Sequence, residues 1–128
     1  MAIDVGLSAG LVHTVTADDS ARVVGSGDLD VLATPRLLAL AEAATVAALT
    51  EADIPADRTT VGTRVELEHL RPTPVGETVT VGAELVHVDG RLLRFEVIVT
   101  DDADRVVARV LVTRVVVERD AFLRRAAR

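Results

Sequence analysis

An α+β fold, with one central helix wrapped by a five-stranded antiparallel sheet, is predicted by three features of the sequence. The hydrophobic residues change from helical spacing to alternation after Asp57. Long alternating segments then follow one another with short turns between them, and one further strand precedes the helix. The hydrophobic fraction is 49% but aromatics are only 2%, so the core must be built from Val, Leu, Ile and Ala, and the excess of β-branched Val favours strands.

Taken in order, Leu11–Thr16 reads as the first strand. Residues 17–33 are polar, with Asp18-Asp19 and Gly25-Ser26-Gly27, and read as a loop able to move. Thr34-Pro35 supplies a helix start, with Thr at N-cap and Pro at N1, where its missing N–H costs nothing. The helix runs to Thr50–Asp53, ahead of Pro55, and is apolar almost all round. Thr59–Leu70 is the next strand, and Arg71–Gly76 is a turn carrying Pro72, Pro74 and Gly76. Glu77–Val88 and Arg91–Thr100 are two strands joined through Asp89-Gly90, a strong hairpin signal. Arg105–Val117 is apolar on both faces, as a central strand should be, and Asp120–Arg128 reads as a short frayed helix. The 128 residues suffice for one domain, spanning 1–128. A helix apolar all round needs cover on every side, and a single sheet covers one face, so a homodimer is expected.

Composition removes several classes of function. The formal net charge is -6 and no basic stripe with stacking aromatics is present, which argues against nucleic acid as a partner. All basic residues are Arg, which removes Schiff-base lysine chemistry. The absence of Cys removes disulfides, thiolate catalysis and Cys-based zinc sites. No signal peptide is read at the N-terminus and no apolar run approaches the roughly 20 residues of a membrane span, so a cytoplasmic protein without a membrane partner is expected. No His, Asp or Glu grouping has metal-ligand spacing, and neither a phosphate loop nor a nucleophile elbow appears, so neither metal nor cofactor is expected.

Two polar residues break apolar faces. Glu42 lies among Leu38, Val46 and Leu49 on the helix, about 120° from Arg36, whose stripe with Ala39, Ala43 and Ala47 is the natural solvent face. An ionised carboxylate is rarely buried without a partner, so Glu42 either lines a cleft or reaches an interface edge and snorkels to water. His69 is the second exception. In Arg64-Val-Glu-Leu-Glu-His69, alternation puts Arg64, Glu66 and Glu68 on one face, with Val65, Leu67 and His69 on the other. A lone inward histidine is commonly a satisfied core residue. With Glu42 on the facing element, a Glu–His pair in an apolar cleft could hold a base near neutral pH and orient a water. Thr34 has an ordinary explanation as the helix cap, and it lies roughly 12 Å along the helix from Glu42. His13 and His87 read as structural or surface residues.

These residues resemble the hotdog-fold acyl-CoA thioesterases of the fluoroacetyl-CoA thioesterase type. The likeness runs from about residue 11 to 122. It is carried by Leu32-Ala33-Thr34 with Glu42 eight residues on, Gly62-Thr-Arg-Val-Glu-Leu-Glu-His69, Pro74-Val75-Gly76-Glu-Thr-Val-Thr-Val, Asp89-Gly90-Arg91, and Thr113-Arg114. The resemblance implies a hotdog fold, a dimer with a dimer of dimers as a further option, and an acyl-CoA site at the dimer interface. It implies Thr34, Glu42 and His69 as the catalytic set, Gly62 as the residue whose backbone lies near the thioester, and Arg114 as a basic residue holding coenzyme A. The implied reaction is hydrolysis of a short or small acyl-CoA thioester, by a general-base or a covalent route. The fluoroacetate-specific member closes its site with phenylalanines ahead of the helix. Residues 17–33 here contain no aromatic, which speaks against fluoroacetyl specificity. The alternatives are a non-catalytic acyl-CoA-binding hotdog module and, with less support, a hotdog enoyl-CoA hydratase.

Overall fold

The computed structural model describes residues 1–127. Five strands, β1 (Ser8–Thr14), β2 (Arg58–His69), β3 (Thr78–Asp89), β4 (Leu92–Asp101) and β5 (Val106–Glu118), form one antiparallel sheet in the order β1-β3-β4-β5-β2. The helices are α1 (Ala21–Val24), α2 (Thr34–Ala48) and α3 (Arg119–Ala126), and a 3₁₀ turn at Ala17–Asp19 precedes α1. The long helix α2 lies across the concave face, chiefly over β3 and β1. The fold is therefore the hotdog arrangement that the resemblance implies. Among the described residues no helix is long and apolar enough to cross a membrane.

Alternation builds the core. On β3, Val79, Val81, Ala83 and Leu85 point inward; on β4, Leu93, Phe95, Val97 and Val99 do the same. They meet Leu37, Leu40, Ala41 and Ala44 of α2. Phe95, in a nearly aromatic-free chain, is the largest of the fully buried side chains. The β3–β4 hairpin turns where the sequence indicates, and Gly90 takes the left-handed conformation, φ +59°, that its tight turn demands.

Three expectations need correction. The first strand is Ser8–Thr14 rather than Leu11–Thr16, because the small residues Ser8-Ala9-Gly10 pair with Gly82–Glu84 and Thr16 is drawn into the following turn. Residues 17–33 are not a free loop. They are tied by the bridges Ser20–Leu32 and Val31–Pro74, and by Asp19, which is buried. The C-terminal helix begins at Arg119, capped by the Glu118 carboxylate, and Arg128 lies outside the described residues.

One irregularity shapes the edge of the sheet. Strands β2 and β5 pair through Gly62–Arg114 and then Arg64–Thr113, leaving Thr63 as an extra residue in a β-bulge. Strict alternation counted back from His69 would turn Thr63 and Val61 toward the helix. The bulge reverses the phase, so Gly62 and Thr60 face inward instead, opposite Arg114 and Val116.

Candidate functional site

The polar exceptions are brought onto the concave face, but in two clusters. The first joins the start of α2 to the end of β2: Thr34 Oγ1 and His69 Nδ1 are 2.8 Å apart. Thr34 is not the helix cap. Ala33 occupies that position without a side-chain bond, and Pro35 sits within the first turn. The Thr34 hydroxyl is thus released from capping and spent on the histidine. Burial lowers the pKa of His69 and the Arg71 backbone opposes the shift. No group reaches His69 Nε2 with hydrogen-bonding geometry. Which of Thr34 Oγ1 and His69 Nδ1 donates depends on the imidazole tautomer. The pair lines an open cleft of about 310 Å³, shared with Ala21, Val31 and Leu32 of the preceding segment and with Leu70 to Pro72. No aromatic and no carboxylate lines it.

The second cluster lies two turns along α2. Glu42 Oε2 accepts from Arg114 Nη1 at 3.1 Å, and Arg114 also donates from Nε to Thr60 Oγ1 at 3.0 Å and from Nη2 to the Thr60 carbonyl at 3.1 Å. Arg114 is buried, which lowers its pKa, while the Glu42 carboxylate raises it; a guanidinium remains charged regardless. Glu42 rests directly on the Gly62 backbone, so closely that a Cβ at position 62 would overlap Oε2. Only glycine admits the carboxylate there.

Within one protomer the expected Glu42–His69 contact is absent: Glu42 is bonded to Arg114, and His69 to Thr34. Glu42 does not interrupt the buried stripe of α2 either. That stripe is Leu37, Leu40, Ala41, Ala44, Thr45 and Ala48. The half-exposed Glu42 borders Ala39, Ala43 and Val46, which are open to solvent. The physical reason is that α2 leans toward β3 and β1, so its β2 side stays uncovered.

Arg114, which only the resemblance singled out, departs from the pattern of its strand. It occupies the inward row of β5 between Val112 and Val116, a charged residue where alternation calls for an apolar one. A second buried network was not foreseen. The Asp19 carboxylate accepts from His13 Nε2 at 2.7 Å, from Arg36 Nε at 2.9 Å and from the Thr16 backbone at 2.8 Å. It fastens the segment ahead of the site to β1 and to the first turn of α2. Among the described residues no group of three His, Asp or Glu side chains could hold a metal ion.

Comparison with known proteins agrees with this fold. The family model described as fluoroacetyl-CoA-specific thioesterase (FlK) matches residues 15–120. The chain is similar in structure to the fluoroacetyl-CoA thioesterase FlK, with 26% identity, a TM-score of 0.88, and 98% of this chain and 96% of that chain covered. A hot-dog-like protein from Thermanaerovibrio acidaminovorans is 26% identical with a TM-score of 0.86, covering 95% of this chain and 89% of that one. The Thermus thermophilus hypothetical protein TTHA0967, a thioesterase superfamily member, shares the fold at 21% identity and a TM-score of 0.87, covering 98% of this chain and 93% of that one. Among curated proteins no match is found.

Proposed function

Because the chain belongs to the fluoroacetyl-CoA-specific thioesterase family and is an acyl-CoA thioesterase, we propose that Glu42, His69 and Thr34 carry its reaction in a cleft completed by a second copy of the chain. The observation that carries this reading is the separation of two chemically complementary clusters on one face. Glu42 over Gly62 supplies a carboxylate beside open backbone, and Thr34–His69 supplies a neutral imidazole with an oriented hydroxyl. Neither is complete alone.

The edge strand β2 offers the means to join them. Its 12 residues have one neighbour, β5, and its outer main-chain groups are free to pair. An antiparallel ladder between two β2 strands, with its twofold axis at Glu66, keeps inward residues opposite inward ones. Val65 then meets Leu67 of the partner subunit, and Arg64 meets Glu68 of the partner subunit. The bulge at Gly62-Thr63 falls opposite His69 of the partner subunit. Glu42 is thereby set across from the partner's His69, in trans. The Arg64–Glu68 pairs occur twice, and Arg64 also bonds Glu66 at 2.8 Å, which offsets the meeting of two Glu66 carboxylates at the axis.

In this site the Glu42 carboxylate takes a proton from a water oriented by the histidine. The water attacks the thioester carbonyl above Gly62, the C–S bond breaks, and the proton passes to the departing sulfur, giving the acid and free coenzyme A thiol. Thr34 and its cleft hold the acyl group. The small, non-aromatic walls and the volume of about 310 Å³ fit a short acyl chain without the aromatic closure of the fluoroacetate-specific enzyme. The protein is expected to work in the cytoplasm. The test is a panel of short acyl-CoAs followed by free-thiol release, with wild type and Glu42→Gln. Turnover should fall at least ~100-fold in the variant, in line with removal of a general base. Binding of acyl-CoAs without turnover by the wild type would leave an acyl-CoA-binding module instead.

A further inference from the structure

We propose that Arg114 is a positioning residue for this reaction, holding the Glu42 carboxylate over Gly62, and is not a ligand for coenzyme A. The proposal rests on Glu42 being the catalytic carboxylate. The Arg114 side chain is 8% exposed whereas the Glu42 side chain is 34% exposed, so the cation lies beneath the carboxylate and a substrate meets Glu42 first. All three guanidinium nitrogens are already engaged, two on Thr60 and one on Glu42. Two N–H groups remain, but the buried guanidinium would have to swing outward to meet a phosphate, breaking these bonds and leaving a half-buried hydroxyl, a carbonyl and a carboxylate without their donor.

The bonds also divide the work between the two carboxylate oxygens. Oε2 is fixed by Arg114 against the glycine backbone. Oε1 has no hydrogen-bond partner among the described residues, so it is the oxygen left to take a proton from water. A planar guanidinium can bond Thr60 twice and Glu42 once in one plane; a lysine ammonium cannot reproduce that fork. The inward-facing charge on β5 is therefore explained as the floor of the site.

The experiment compares Arg114→Met and Arg114→Lys on two substrates. One is an acyl-CoA; the other is the same acyl group on N-acetylcysteamine, which lacks the nucleotide and all phosphates. Arg114→Met should lower kcat roughly 100-fold on both substrates, the scale expected for a misplaced catalytic group, with KM changed less than about threefold. Arg114→Lys should recover part of that loss. A defect confined to KM for the acyl-CoA, and absent with the short thioester, would overturn the proposal in favour of a coenzyme grip; so would wild-type kcat in Arg114→Met. Should Arg114→Met fail to fold, Gly62→Ala evicts the carboxylate with Arg114 intact and should reproduce the kcat loss on both substrates; an unchanged kcat there overturns the idea equally. A crystal structure of Arg114→Lys gives a readout independent of turnover. If the wild type hydrolyses no thioester, the catalytic reading fails, and whether Glu42 shifts off Gly62 in that structure still decides the clamp.

Discussion

The imidazole of His69 sets how the protein should respond to pH. Its pKa is depressed from the ordinary 6.5, by burial first, against the Arg71 backbone. A base with a lowered pKa stays neutral to lower pH and loses function only as pH falls through that lowered value. We predict that the acid limb of kcat/KM lies below pH 6.5, and that His69→Ala removes the limb together with most of the activity; a limb at or above 6.5 would contradict the assignment. The same shift has a stability sign. The unfolded chain binds this proton more readily, so the contribution is complete above pH 6.5 and declines as pH drops below it. At this scale much was legible beforehand. Strand phase put His69 on the inward face, whereas helical phase put Glu42 on the buried side of α2, where the structure does not; neither reveals a partner. Arg114 was reached only through the family resemblance, because β5 reads as apolar on both faces and one Arg in such a run passes for a surface residue.

Among the elements, the segment from Val15 to Ala33 departs most from expectation. It reads as a polar loop because Asp18-Asp19 and the glycines are what turns are made of. In the structure Asp19 is 3% exposed, and its backbone carbonyl accepts from the Ala33 N–H at the foot of α2. Burial alone would raise the Asp19 pKa, but bonds from Thr16, His13 and Arg36 outweigh it and hold the carboxyl well below the usual range. The stabilisation is therefore present above the ordinary value of 3.8 and is lost as pH falls toward the depressed one. We predict that Asp19→Asn costs about 2 kcal/mol by urea unfolding at pH 7, since it removes charge-assisted bonds from a buried group. The variant should also unfold over a narrower acid range than wild type. Equal stability of the two proteins at pH 7 would show that the network is dispensable. Nothing in the local sequence separates Asp19 from Asp18, because the difference arises from β1 and α2 meeting around it.

For the whole molecule, the sequence indicates that α2 needs more cover than one sheet supplies, and the structure locates where that cover is missing. Val46 remains 53% exposed on the side of α2 that borders Glu42. The proposed twofold pairing of β2 can be tested through charge. Arg64→Glu would face Glu68 of the partner subunit with a like charge twice over. It should weaken the dimer at least ~10-fold in analytical ultracentrifugation, because like charges directly opposite on paired strands repel. Adding Glu68→Arg should restore association and activity together. A charge reversal without effect on the sedimentation coefficient would exclude this register. The register itself could not be derived from alternation, since it depends on an extra residue that period-two counting cannot see. That residue, Thr63, has a consequence for any comparison of this chain with its relatives. It divides β2 into two stretches of opposite parity, so in a relative without it the inward residues ahead of the bulge stand one position nearer the histidine. The glycine that admits the carboxylate would then be sought one position away. Aligning such chains by hydrophobic pattern alone would match the wrong residues on one side of Thr63 while looking faultless on the other.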